Sequence, residues 1–219
     1  MLPLGTVGFI SAGFFFTVYA YTFHALTVKK IPEVLRHFAY AYFSLAVAFM
    51  LWGVASYIGT QSFLNVSVLI GDGLLLLSTF FLLSLFFAEN KAKNVIRIVW
   101  IILSAVFLWW RMTYFPPEPT LTNGILFFNT QQTVGIVLSL ILLLVWLPTN
   151  LKVARLVTGK IQLPGFGFIY SSIYLMATVA ALLFIAAKTV LIIAVSFAAM
   201  IVCFIMLVAS NVMIDKMAK

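Results

Sequence analysis

Long apolar runs alternate with short polar breaks along the whole chain. Seven runs stand out: Leu4–Leu26, Phe38–Ile58, Phe63–Ala88, Val95–Tyr114, Ile125–Leu147, Phe166–Ala187 and Thr189–Val212. A helix rises 1.5 Å per residue, so about 20 apolar residues cross a hydrocarbon core of about 30 Å. Each run meets that length. A membrane-spanning strand needs only about 10 residues and alternates in polarity, which none of these runs does. The pattern predicts an all-α integral membrane protein: a single seven-transmembrane helix bundle occupying 1–219.

The breaks carry the orientation signal. Lys29, Lys30, Arg36, Lys91, Lys93, Arg97, Lys152, Arg155, Lys160, Lys216 and Lys219 fall at one end of the predicted bundle, and only Arg111 and Lys188 at the other. Cytoplasmic loops collect Lys and Arg. This places the N-terminus outside and the C-terminus in the cytoplasm, with the cell membrane as the expected location. Trp109 and Trp110 then mark the outer interface and Trp146 the inner one. The breaks at Gly59–Ser62 and Lys188 are tight turns, so helices two and three, and six and seven, pack as antiparallel neighbours. The outer loop Phe115–Gly124 is stiffened by three prolines, and Pro148–Pro164 is the largest cytoplasmic loop.

Composition agrees: 64% of the 219 residues are hydrophobic and 8% charged, with a mean hydropathy of +1.18. Only lipid can cover so much apolar surface. The net charge of +8 would point to nucleic acid in a soluble domain. Here it serves orientation and contact with anionic headgroups, and no nucleic-acid partner is expected. Cys203 is the single cysteine, so an intrachain disulfide is impossible. Neither a metal site nor a cofactor is expected.

One acidic residue, Asp72, lies near the midplane. A charge there costs about 2.5–3.5 kcal/mol or more, so it must face the bundle and find a partner or a proton. Its neighbours Gly71 and Gly73 permit close approach and loosen the helix locally. Asn65, Asp72 and Thr79 share one face at heptad spacing. Together with Arg111, Asn129, Gln131 and Gln132 they suggest a polar pocket in the outer half of the bundle. Arg111 either supplies the counter-charge to Asp72 or snorkels to the nearby interface. The alternative role for Asp72 is a packing hydrogen bond. Further polar stripes run through Trp100, Ser104 and Arg111, through Ser171, Tyr174 and Thr178, and through Thr189, Ser196, Cys203 and Ser210. Small polar residues at such spacing commonly form packing seams. His24 and His37, beside Tyr21, Tyr40 and Tyr42, read as an inner interfacial belt.

Thr6-Val7-Gly8 echoes Thr133-Val134-Gly135, and Phe38-Ala39-Tyr40 echoes Phe168-Ile169-Tyr170. An offset of four helices preserves orientation, which would make a parallel three-plus-one-plus-three repeat. Intramembrane aspartyl proteolysis needs two membrane aspartates, and a seven-helix zinc hydrolase needs about three histidines; the chain has neither. Helix seven lacks a central lysine for retinal, and the signatures of G-protein-coupled receptors are absent. No enzyme is expected. Three readings remain. The first is a receptor-like or sensor-like protein with an outer-half pocket for a small, largely apolar ligand, signalling through a separate membrane or cytoplasmic partner. The second is a small-molecule or ion transporter. The third is a non-catalytic subunit or assembly factor of a membrane complex.

Overall fold

The structure, a computed structural model, describes residues 4–30, 36–88, 90–122, 124–158 and 165–217. Within them lie α1 (Leu4–Lys30), α2 (Arg36–Ile58), α3 (Gln61–Phe86), α4 (Lys93–Tyr114), a short hairpin of β1 (Thr120–Thr122) and β2 (Ile125–Phe127), then α5 (Gln132–Thr158), α6 (Phe166–Ile185) and α7 (Val190–Met217). All seven helices are long and apolar enough to span a bilayer. The chain is a multi-pass membrane bundle. Lys160 and Lys219, and most of the predicted loop's second half, lie outside the described residues.

Six helices form a ring in which α1, α2, α3, α5, α6 and α7 each pack on the next and α7 closes on α1. The predicted pairings of helix two with three and six with seven are present. The seventh helix, α4, sits outside the ring and packs chiefly on α3. Nearly all of its surface is left for lipid, and Arg111 is its one buried residue. Three polar bonds fasten it: Arg97 Nε donates to Ser84 Oγ at 2.9 Å, Trp100 Nε1 to the Leu76 carbonyl at 3.1 Å, and Arg111 Nε to Asp72 Oδ2 at 3.3 Å.

Two predicted boundaries are corrected. Residues Ile125–Phe127 do not begin helix five; they pair antiparallel with Thr120–Thr122, with Leu121 opposite Leu126. Asn123-Gly124 between two β-prone triplets is a strong hairpin signal, and Gly124 takes φ +75°. The hairpin caps the end of the bundle where α1 begins: Gly5 donates its N–H to the Gly124 carbonyl at 2.8 Å. A side chain at Gly5 would collide with that same carbonyl. Leu126 is fully buried. At its other end, helix five continues past Pro148 to Thr158, so much of the predicted cytoplasmic loop is helix. The turn just before the proline, Leu142–Trp146, is π-helical. A π-turn has already displaced the i→i−4 ladder, so the missing N–H and the ring of Pro148 meet less conflict there.

Helix α3 runs unbroken through Gly71-Asp72-Gly73, so the expected local loosening is absent. Gly71 instead makes room for a neighbour, since any side chain there would overlap the indole of Trp52 on α2. That indole donates to the Ser67 carbonyl at 3.1 Å.

Candidate functional site

A cavity of about 120 Å³ lies on the axis of the six-helix ring. Its walls are largely aromatic: Phe16 from α1, Phe49 and Trp52 from α2, Phe128 after the hairpin, Trp146 from α5, Phe184 from α6 and Phe204 from α7. Edge-on ring contacts lock them together, with Phe16 and Phe204 centroids 4.3 Å apart and Trp52 and Phe128 4.8 Å apart. Such pairs are favourable beyond the area they bury. Along α5 the lining runs from Leu138 to Asn150, a stretch of about 18 Å at helical rise. The cavity is therefore not confined to the outer half.

Asp72 and Arg111 are its charged lining residues, and both are buried. The Arg111 Nη1 donor is taken by the Phe115 carbonyl at the end of α4, and its Nε by Asp72 Oδ2. Arg111 is thus a counter-charge and not a snorkelling side chain. Among the described residues Asp72 Oδ1 has no hydrogen-bond partner.

The other four candidates do not join this pair. Asn65 accepts from Gln61 Nε2 at 2.8 Å on the exposed side of α3. Asn129 lies outside any helix at φ +45°. Its amide donates to the Glu118 carbonyl at 2.9 Å and to Thr120 Oγ1 at 3.1 Å, holding the hairpin. Gln131 and Gln132 are exposed at the start of α5. The polar set was expected to converge on one pocket from three helices, but helix five begins later than its apolar run. That difference turns three of those residues away from the axis.

At the basic end the cavity stops at a buried hydrogen-bonded layer that the sequence reading missed. Tyr42 donates to Asn150 Oδ1 at 3.0 Å, the hydroxyls of Tyr19 and Tyr174 bond to each other, and Tyr170 donates to Asn211 Oδ1 at 2.8 Å. Asn211 Nδ2 reaches Thr22 Oγ1 at 3.3 Å. Tyr42 therefore belongs to the core and not to an interfacial belt, whereas Tyr21 and Tyr40 do face outward. The sequence sets Tyr174 on a polar stripe and Tyr42 beside the belt, but no charge flags these tyrosines and only the three-dimensional pairing joins them into one layer. Trp146 behaves likewise: its Nε1 donates to Thr79 Oγ1 at 3.0 Å inside the bundle.

Axis-facing positions can be paired across the two halves of the ring, the units α1–α3 and α5–α7. One constant shift along the chain carries Tyr42, Leu45, Phe49 and Trp52 of α2 onto Tyr174, Ala177, Ala181 and Phe184 of α6. Seven of these eight line the cavity, and the eighth, Tyr174, is buried in the layer beneath it. A shift one residue shorter carries Asn65, Asp72 and Thr79 of α3 onto Ser196, Cys203 and Ser210 of α7, and Tyr19 of α1 onto Asn150 of α5. The bond from the first helix of one unit to the second helix of the other thus occurs twice, as Tyr19–Tyr174 and as Tyr42–Asn150. The register suggested by the short echoes is not this one. Phe38 is 0% exposed and Phe168 79%, while Tyr40 is 43% exposed and Tyr170 0%.

Among the described residues no group of three or more His, Cys, Asp or Glu side chains is placed to share a metal ion. No family model, curated protein or solved structure matches the chain.

Proposed function

We propose that the chain is a sensor-like membrane protein that takes a small, largely apolar ligand into its axial cavity and reports it through α4 to a separate partner. Its hairpin end faces outward and its basic end the cytoplasm, by the Lys and Arg bias of the loops. The observation that carries the reading is the placement of the Asp72–Arg111 pair. It lines the cavity and is also one of the three polar bonds holding α4 to the bundle. A ligand whose donor bonds to Asp72 Oδ1 draws on the same carboxylate and weakens its bond to Arg111 through Oδ2, and α4 has little other packing to hold it. The opposite end of α4 carries Lys93 and Arg97 at the cytoplasmic face, where a partner would dock. A ligand shifts such an equilibrium only by its preference for one state, and a bond to Asp72 that weakens the Arg111 contact supplies one.

A second reading, a carrier, is favoured by the two corresponding three-helix units around a shared site, an arrangement common among transporters. The lining argues against it. A small neutral apolar solute dissolves in hydrocarbon and crosses a bilayer unaided, so carrying it accomplishes little, whereas detecting it does.

The test places spin labels at Ala92→Cys and Leu156→Cys in a Cys203→Ser background and measures their separation in nanodiscs. Asp72→Asn, which releases Arg111, should shift or broaden the distance distribution. Saturation of the native pair with p-cresol should move it in the same direction. A distribution unchanged by both treatments overturns the proposal.

A further inference from the structure

We infer that the cavity selects a neutral single-ring aromatic bearing one hydrogen-bond donor, a phenol in chemical class. The inference rests on the sensor reading for its consequence but on the cavity alone for its chemistry.

Three observations converge on that class. The first is size. An apolar cavity of roughly 150 Å³ accepts a benzene, and this one has about 120 Å³, so a single substituted ring enters only with a small outward give of the walls and a two-ring skeleton is excluded. The second is the wall chemistry. Trp52, Phe49, Phe128 and Phe184 present faces and edges to the same space, and such a lining favours a flat ring through offset and edge contacts. The third is the polar inventory. Asp72 Oδ2 is occupied by Arg111, while Oδ1 has no partner among the described residues, on a buried side chain that lines the cavity. A carboxylate oxygen only accepts, so the complement is an O–H or N–H on the ligand.

The ion pair also fixes the ligand's charge. Asp72 and Arg111 cancel one another, so a neutral ligand leaves the site neutral. A benzoate or a benzylammonium would add an unpaired charge at membrane depth, which is worth roughly a hundredfold in affinity. A ring without a donor leaves Oδ1 unsatisfied. A hydrogen bond to a charged group contributes about tenfold or more in discrimination.

The experiment is equilibrium dialysis of radiolabelled p-cresol, toluene, benzylammonium and benzoate against the full chain in nanodiscs, with empty nanodiscs as the blank. Saturable p-cresol binding is expected, with toluene about tenfold weaker and neither ion bound. Ala181→Trp, which fills the cavity, should abolish binding of both neutral compounds. The double variant Asp72→Leu with Arg111→Leu removes the acceptor and leaves no charge behind, so p-cresol should lose its advantage over toluene. Absence of saturable p-cresol binding, equal affinity for toluene in the native protein, or a preference that survives in the double variant would each overturn the inference. Saturable, donor-dependent p-cresol binding with an unchanged α4 distance would support the ligand class and remove the sensor reading.

Discussion

Removing the partners of the Asp72–Arg111 pair one at a time, and then together, tests how the bundle holds α4. Asp72 is 8% exposed, and among the described residues its side chain has one polar partner, Arg111 Nε, at 3.3 Å from Oδ2. Arg111 has a second partner in the Phe115 carbonyl. Breaking a buried pair by deleting one member strands a charge and costs about 3–5 kcal/mol, whereas replacing both by apolar residues is often neutral. The contact is long and not bidentate, which argues for the low end, about 3 kcal/mol for Asp72→Leu. Arg111→Leu should cost less, about 2 kcal/mol, because an orphaned carboxyl can become neutral by taking up a proton and a guanidinium cannot. The double variant should lose no more than about 1 kcal/mol and be more stable than either single one. Reversible unfolding in mixed micelles, or steric trapping in bicelles, measures all four proteins. Additive losses, with the double variant the least stable, would refute the claim that the two charges hold one another.

Three further outcomes follow from the same geometry. Gly71→Leu should destabilise by about 1–3 kcal/mol, because its side chain must displace the Trp52 indole from the Ser67 carbonyl; the thermal midpoint reads this, and an unchanged value would contradict the close packing of α2 on α3. Tyr42→Phe should cost about 1 kcal/mol by leaving Asn150 without its donor, measured by the same unfolding assay; no loss would mean the layer adds nothing to stability. In a Cys203→Ser background, Glu118→Cys should react with an impermeant maleimide on intact cells, and Ala92→Cys only after permeabilisation; labelling of residue 92 from outside would reverse the proposed orientation.

The architecture was legible because it depends on average properties. Seven apolar runs of spanning length survive any single misjudged residue. The Asp72–Arg111 pair was legible for the opposite reason: charges are so costly in hydrocarbon that two of them invite each other. The stripe of Trp100, Ser104 and Arg111 also pointed correctly, since Trp100 and Arg111 bond to α3. What stayed hidden was of two kinds. Ile125, Leu126 and Phe127 are apolar in either a strand or a helix, so the run reads as helix from Ile125 and places Asn129, Gln131 and Gln132 in its outer third, whereas the helix begins only at Gln132. The tyrosine layer was invisible because its bonds join α1 to α6 and α2 to α5, residues far apart along the chain. A phenol in an apolar run looks like any other aromatic until its partner is known.

Pairing positions across the two halves separates residues that face the axis from those that face lipid. Short matches such as Phe38-Ala39-Tyr40 with Phe168-Ile169-Tyr170 mix core residues with lipid-facing ones, and lipid accepts nearly any apolar side chain at the latter. Positions facing the axis have no such freedom, and there the correspondence runs through Tyr42 and Tyr174, Trp52 and Phe184, Thr79 and Ser210. The shift lengthens by one residue between Phe16 with Trp146 and Tyr19 with Asn150, across the end of the π-turn in α5, as an inserted residue requires. Against this matched background, the ion pair is what has no counterpart. Asp72 corresponds to Cys203, which carries no charge, and Arg111 comes from α4, the helix that neither unit repeats. The six ring helices are enough to build the cavity. The ion pair sets the two walls apart in charge, and on the proposed reading a ligand that bonds to Asp72 acts on α4 with no equivalent hold on the opposite wall.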